Sequence, residues 1–255
     1  KHFEDGRAQL RKRKTYDQQL HEIRDFFSRA RAYAAGTPTR RDLRMEAMRG
    51  LFTDGDRKAN GATTLYVHAN DVKQIAEVIR FKRAQDLERV VLVGGADSWM
   101  MADPLRENGI AVMVQRTHTV PRFAEDDIDL PYKLPKLLED EGVEYCLQGE
   151  GRMPEMNTRN LPFYAGTAVA YGLEYEQAVR ALTLSTARIL GIDDFCGSLE
   201  PGKDATLFIS TGDALDMMGN AVQHAWVNGR GVVLDNKQIQ LYEKYKAKYD
   251  AQRGK

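Results

Sequence analysis

Four short apolar runs, each followed by helical periodicity, predict an α/β chain built on parallel strands. The runs are Thr64 to His68, Val90 to Val93, Ile110 to Gln115 and Val143 to Leu147. Helical stretches from Asp71 to Gln85, Asp97 to Asn108 and Tyr132 to Glu141 separate them, and Leu161 to Tyr171 and Tyr175 to Leu190 follow the last. Right-handed crossovers place such helices outside a curved sheet. Four units take about 130 residues, roughly half of what an eight-unit barrel needs. No Gly-rich phosphate fingerprint follows the first strand. Spacing alone leaves an open doubly wound sheet and half of a barrel both standing. A half barrel would expose two strand edges that another segment or chain must cover.

The flanks read differently. Lys1 to Ala35 is charged and expected to be helical, with Leu20, Ile23, Phe26, Phe27, Ala30 and Tyr33 at helical spacing in its second half. Its basic run Arg11-Lys12-Arg13-Lys14 has acidic neighbours on both sides, as a solvated helix face does. The stretch carries no signal-peptide pattern and Lys1 is no start methionine, so the chain is expected to be part of a longer product. Thr37-Pro38-Thr39 breaks the pattern, a helix is expected from Arg41 to Phe52, and Asp54 to Gly61 reads as a polar turn. Beyond Leu190, Asp204 to Ser210 and Val222 to Asn228 alternate like antiparallel strands. Asn228-Gly229 is a hairpin signal leading into Gly231 to Leu234. Asn236 to Tyr249 reads as an amphipathic helix carrying Ile239, Leu241, Tyr242 and Tyr245.

Composition sets limits on function. Of 255 residues, 42% are hydrophobic and 29% charged, enough for a sizeable core. Lys plus Arg equals Asp plus Glu at 37 each, which removes global charge as an argument for nucleic acid or an anionic membrane. No apolar run is long enough to span a bilayer. Cys146 and Cys196 are too few for a disulfide framework and lack the spacing of a zinc knuckle. The compartment stays open.

In a parallel βα fold, chemistry gathers where strands end. His68 ends the first strand, where an imidazole can ligate a metal, move a proton or simply hold its strand end. The second ends in Gly94-Gly95, with Asp97 placed to cap the next helix. The third runs into Arg116, His118 and Arg122 and then the acidic Glu125, Asp126, Asp127 and Asp129. That long connection is where a substrate loop is expected, with His118 at its mouth. The fourth ends in Gln148-Gly149-Glu150, where Glu150 is placed for a general base and Gln148 for a substrate amide or its own loop. Cys146 reads as core.

Past the fourth strand the chain resembles the amidohydrolase superfamily, in its imidazolonepropionase-like group. The resemblance rests on three pieces in order: Ala165-Gly166 to Gly172-Leu173, Ala181-Leu182-Thr183 to Leu190-Gly191, and Gly197-Ser198-Leu199 to Leu207. It covers Thr37 to Leu234 and is strongest after Leu161. It implies that the four units are the second half of a (β/α)8 TIM-type barrel. Residues 1–195 would belong to the barrel half, 196–235 would supply strands of a small β-sandwich, and 236–255 would form a terminal helix.

The resemblance also implies a metal-dependent hydrolase of C–N bonds, in an amide or cyclic amide, with zinc the expected divalent ion. His68 matches the family's fifth-strand histidine and becomes the metal ligand. The His-x-His pair and a fourth-strand ligand are expected upstream of Lys1. The sixth-strand histidine has no counterpart, since Gly94 and Gly95 stand there. The eighth-strand aspartate is also missing, and Glu150 is its substitute for proton transfer. His118 would orient substrate and Gln148 would contact it. The expected partners are the N-terminal half of the same protein, a small-molecule substrate and further copies of the chain in a homo-oligomer; nucleic acid and a membrane span are not expected. The rival expectation is a catalytically degenerate relative that binds or scaffolds.

Overall fold

A computed structural model describes residues 15–52, 63–149 and 153–253, and the backbone alone of 2–4 and 7–9. Its centre is a four-stranded parallel sheet of β3 (Leu65–Ala69), β4 (Val90–Gly94), β5 (Ala111–Val114) and β6 (Tyr145–Leu147), in that spatial order. Between the strands run α3 (Val72–Ala84), α4 (Ala102–Glu107) and α5 (Leu130–Asp140). After β6 come α6 (Pro154–Asn157), α7 (Leu161–Ala170), α8 (Tyr175–Leu182) and α9 (Leu184–Leu190).

The strand order decides between the two architectures that spacing left open. A doubly wound sheet reverses at a switch point and carries helices on both faces. This sheet runs strictly in sequence, and its main core lies on one face. Leu65, Val67, Ala69, Leu92, Val112, Val114 and Leu147 pack there against Ile75, Val78 and Ile79 of α3, Leu105 of α4, and Leu134 and Leu138 of α5. Burying each such Leu or Ile contributes about 1.5–3 kcal/mol. The alternate residues Val91, Ala111, Met113 and Cys146 face away and meet Ile189 of α9. The arrangement is that of a barrel segment, with α3, α4 and α5 outside.

Helix boundaries move for local reasons. α5 begins at Leu130, ahead of the expected Tyr132, because Pro131 sits in the first turn, where its missing N–H costs nothing. The single helix expected from Tyr175 to Leu190 is two, divided at Thr183, whose backbone (φ −120°, ψ −90°) is not helical.

At the N-terminal side, β1 (His2–Glu4) and β2 (Arg7–Gln9) pair antiparallel, which corrects the helix expected from Lys1; residues 11–14 lie outside the described residues. The helix proper is α1 (Tyr16–Ala35), followed by α2 (Leu43–Met48). Phe27 of α1 meets Phe81 and Phe52 edge-on at 4.9 and 6.1 Å, fastening α1 to α3. The expected turn at 54–61 also falls outside the described residues.

A separate antiparallel sheet contains β7 (Leu207–Ser210), β8 (Val222–Val227) and β9 (Arg230–Gly231). Asn228 and Gly229 turn the hairpin with φ of +50° and +73°, the signs that a type I′ turn requires. Val232 to Leu234, expected in the same strand, lie outside the sheet. The terminal helix α10 (Lys237–Arg253) forms, but none of its residues is buried, so its expected apolar face has no counterpart among the described residues. No helix among the described residues is long and apolar enough to cross a membrane.

Candidate active site at the strand ends

Parallel register brings the strand ends level. His68 pairs with Val93, Val93 with Met113 and Met113 with Cys146, so these four stand in one row across the sheet. Because Leu65, Val67 and Ala69 pack toward the helices, strand alternation turns Tyr66 and His68 to the opposite, exposed face. His68 is therefore the one chemically versatile side chain in a row otherwise made of Val, Met and a buried Cys. Burial pushes the Cys146 thiol up to about 11, which leaves it protonated and inert at neutral pH.

Beyond that row, β3 and β4 are laced together by backbone. Gly95 N–H donates to Ala69 O at 2.9 Å and Asp97 N–H to Asn70 O at 3.0 Å. Ala96 N–H reaches Asn70 Oδ1 at 3.3 Å. Gly94 and Gly95 have φ of +100° and +62°, and a Cβ on Gly94 would lie 2.5 Å from Asn70 Oδ1. The end of β4 is thus built for glycine, with the Asn70 carboxamide occupying the space where a side chain would project.

One guanidinium ties three strand ends. Arg122, from the connection after β5, places Nη2 2.7 Å from Asp71 Oδ1 and Nη1 3.5 Å from Asp97 Oδ1. Both carboxylates are mostly buried. Asp71 caps α3 in a capping box with Gln74, and Asp97 Oδ2 accepts from Val72 N–H at 3.3 Å. Asp97 was expected to cap the helix that follows it; instead it braces the start of α3. Burial raises its pKa, against the opposing pull of Arg122.

His118 is held by α7. Its Nε2 lies 2.6 Å from Thr167 Oγ1, and that hydroxyl donates to Phe163 O at 3.0 Å. With the threonine proton so used, His118 Nε2 must carry hydrogen and donate, leaving Nδ1 as the acceptor. The ring meets Tyr164 edge-on at 4.8 Å, and the adjacent buried Thr117 donates to Tyr164 O at 3.1 Å. Burial, then the charge of Arg116, lowers the pKa of His118. It lines a cavity of about 280 Å³ with Phe163, Tyr175, Asp213 and Leu215, and His68 does not border that cavity. Gln148 Nε2 donates to Met113 O at 3.3 Å, fastening the end of β6 to β5. Glu150 lies outside the described residues. The acidic loop is engaged locally: Asp126 accepts from Phe123 N–H and Asp129 pairs with Lys133.

Sequence reading missed Asn70, Asp71 and Arg122. The signal for Asn70 was present, two residues past His68 and opposite a Gly-Gly pair. Nothing in the spacing pointed to Arg122, which lies 51 residues from Asp71. Among the described residues, no three His, Cys, Asp or Glu side chains are grouped so as to hold a metal ion.

Comparison with known proteins extends this geometry. The sequence profile of the Amidohydrolase family matches residues 58–232. The imidazolonepropionase of Picrophilus torridus is 35% identical over 86 residues, covering 31% of this chain and 22% of that protein. The crystal structure of an amidohydrolase from Thermotoga maritima superposes with a TM-score of 0.71 at 26% identity, over 86% of this chain and 56% of its own. A Xaa-Pro dipeptidase structure with bound methionine shares the fold, with a TM-score of 0.51 at 18% identity over 69% of this chain and 46% of its own. The chain therefore spans just over half the length of the Thermotoga structure and about a fifth of the imidazolonepropionase.

Proposed function

The chain belongs to the amidohydrolase family, and from that premise we propose that it supplies the C-terminal barrel half of a hydrolase acting on C–N bonds of small amides or cyclic amides. The observation that carries this reading is His68, at the carboxyl end of β3 on the face turned away from α3, α4 and α5. That is where parallel βα barrels gather their chemistry.

Family members generally bind a divalent metal. A catalytic zinc takes three protein ligands and keeps one open position. His68 is one imidazole among the described strand ends, so these residues do not amount to a metal centre by themselves. In the proposed enzyme the expected ion, zinc by preference, takes its remaining ligands from the rest of the protein. Gln148 and Asn70, each just past a strand end, would supply polar contacts to the substrate. His118 acts through the loop it anchors on α7, and Glu150 is kept as the proton-transferring carboxylate. The partners in this reading are the N-terminal half, further copies of the chain and a small-molecule substrate.

A second reading is a catalytically degenerate relative that binds without turnover. The closed glycine end of β4 supports it, because a histidine at Gly94 would collide with Asn70. One experiment separates the two. The intact protein is purified with its native metal, the metal is quantified, and ammonia or amine release is measured over a panel of amides and cyclic amides. Turnover that His68→Ala abolishes, together with loss of bound metal, supports the hydrolase. Metal-free protein without turnover supports the binding relative. Metal content unchanged by His68→Ala removes the ligand assignment.

A further inference from the structure

We infer that Asn70 is a substrate-binding residue whose Nδ2 donates to the carbonyl oxygen of a neutral amide, an inference that rests on the amide reading above. The orientation of its carboxamide is set by the fold. Oδ1 accepts from Ala96 N–H at 3.3 Å, so the amino end is the one left to turn outward. The backbone on both sides is held as well, by Gly95 N–H on Ala69 O and Asp97 N–H on Asn70 O. No acceptor among the described residues takes a hydrogen bond from Nδ2, although Asn70 is half-buried. Nδ2 is not one of the buried atoms left without a partner, so it is open to solvent, and a ligand carbonyl can take the place of water there.

Two further observations define the ligand. Gly94 is the residue that admits the carboxamide: a Cβ there would stand 2.5 Å from Oδ1 and 3.3 Å from Nδ2. The donor therefore occupies the end of β4 itself, two residues along the chain from His68. The surrounding charge selects against anions, since Asp71 and Asp97 share the single cation Arg122 and leave an excess of one negative charge. In the metal-free protein that excess repels a carboxylate, whereas a neutral carbonyl oxygen accepts from Nδ2 without that penalty.

Asn70→Asp is the informative variant, because a carboxylate keeps an acceptor for Ala96 N–H while removing the donor. The intact protein, stripped of metal and labelled with 15N only at asparagine, is titrated with 2-pyrrolidinone as a cyclic amide and with acetate as a carboxylate. The Asn70 side-chain signals are identified by their absence from Asn70→Asp. The inference expects 2-pyrrolidinone to move those signals saturably, acetate to leave them nearly unmoved, and Asn70→Asp to weaken 2-pyrrolidinone binding about tenfold or more. Unmoved signals with 2-pyrrolidinone, or equal binding by Asn70→Asp, would overturn it. Equal shifts with acetate would overturn the choice of a neutral ligand. The titration of the unmodified protein decides the matter even if the variant folds poorly. Hydrolysis of 2-pyrrolidinone is followed separately on the metal-loaded protein. Turnover unaffected by Asn70→Asp removes the role of Asn70 and leaves the hydrolase reading intact. Saturable shifts without turnover on any amide keep Asn70 as a binding residue and remove the hydrolase reading.

Discussion

The parallel sheet and the C-terminal antiparallel sheet are both made from β-branched and aromatic residues, yet they use them differently. All five residues of β4 are buried, and Leu92 has no exposed surface. In β7, Phe208 and Ile209 are each about half exposed, at 51% and 50%. Strand propensity is similar in the two regions, but only the first has helices packed on its apolar face. The contrast shows that propensity draws the strands and burial supplies their energy. It also separates a region whose core is assembled within this chain from one with apolar surface left over.

The largest expected effect tests that contrast directly. Leu92→Ala should cost about 2–5 kcal/mol, whereas Ile209→Ala should stay within about 1 kcal/mol, as measured by chemical denaturation of the intact protein. Similar costs for the two would erase the distinction. Next comes the strand-end clamp. Arg122→Met leaves the mostly buried Asp71 and Asp97 facing each other without their cation and should cost about 2 kcal/mol, with Arg122→Lys recovering part of it. The same substitution should raise the pKa of Asp97 further, which carboxylate NMR would follow. A neutral Arg122→Met would mean that the clamp contributes nothing to holding the three ends.

Gly94→Ala should cost about 1–2 kcal/mol for its left-handed backbone, and more for the collision with Asn70. A double-mutant cycle with Asn70→Ala should recover only the collision. The smallest effect is at His118. Its pKa is lower in the folded chain than the usual 6.5, so the folded state disfavours the charged ring. Stability from this group is full above about pH 6.5 and declines as pH falls below that value toward the folded pKa. Thermal unfolding across that interval should show the decline, and His118→Asn should flatten it.

The sequence by itself determined the βα rhythm, the strand positions, the Asn228-Gly229 hairpin and His68 at a strand end. These are local facts, since strand alternation, helical spacing and turn chemistry are written within a few residues of one another. The start of the chain was misread for the same reason: the helix expected from Lys1 begins at Tyr16, and strands pair ahead of it. The helix expected from Asn236 forms, but whether its apolar residues are covered is not written in a charged, loosely periodic stretch. Tertiary structure decided what distance in sequence conceals. It alone brought Arg122 to Asp71 and Asp97, drew His118 onto α7, and set Asn70 against Gly94. Each of those contacts joins segments separated by a crossover helix or a long connection. Their geometry follows from the register of parallel strands and the packing of the helices around them, which no local pattern encodes.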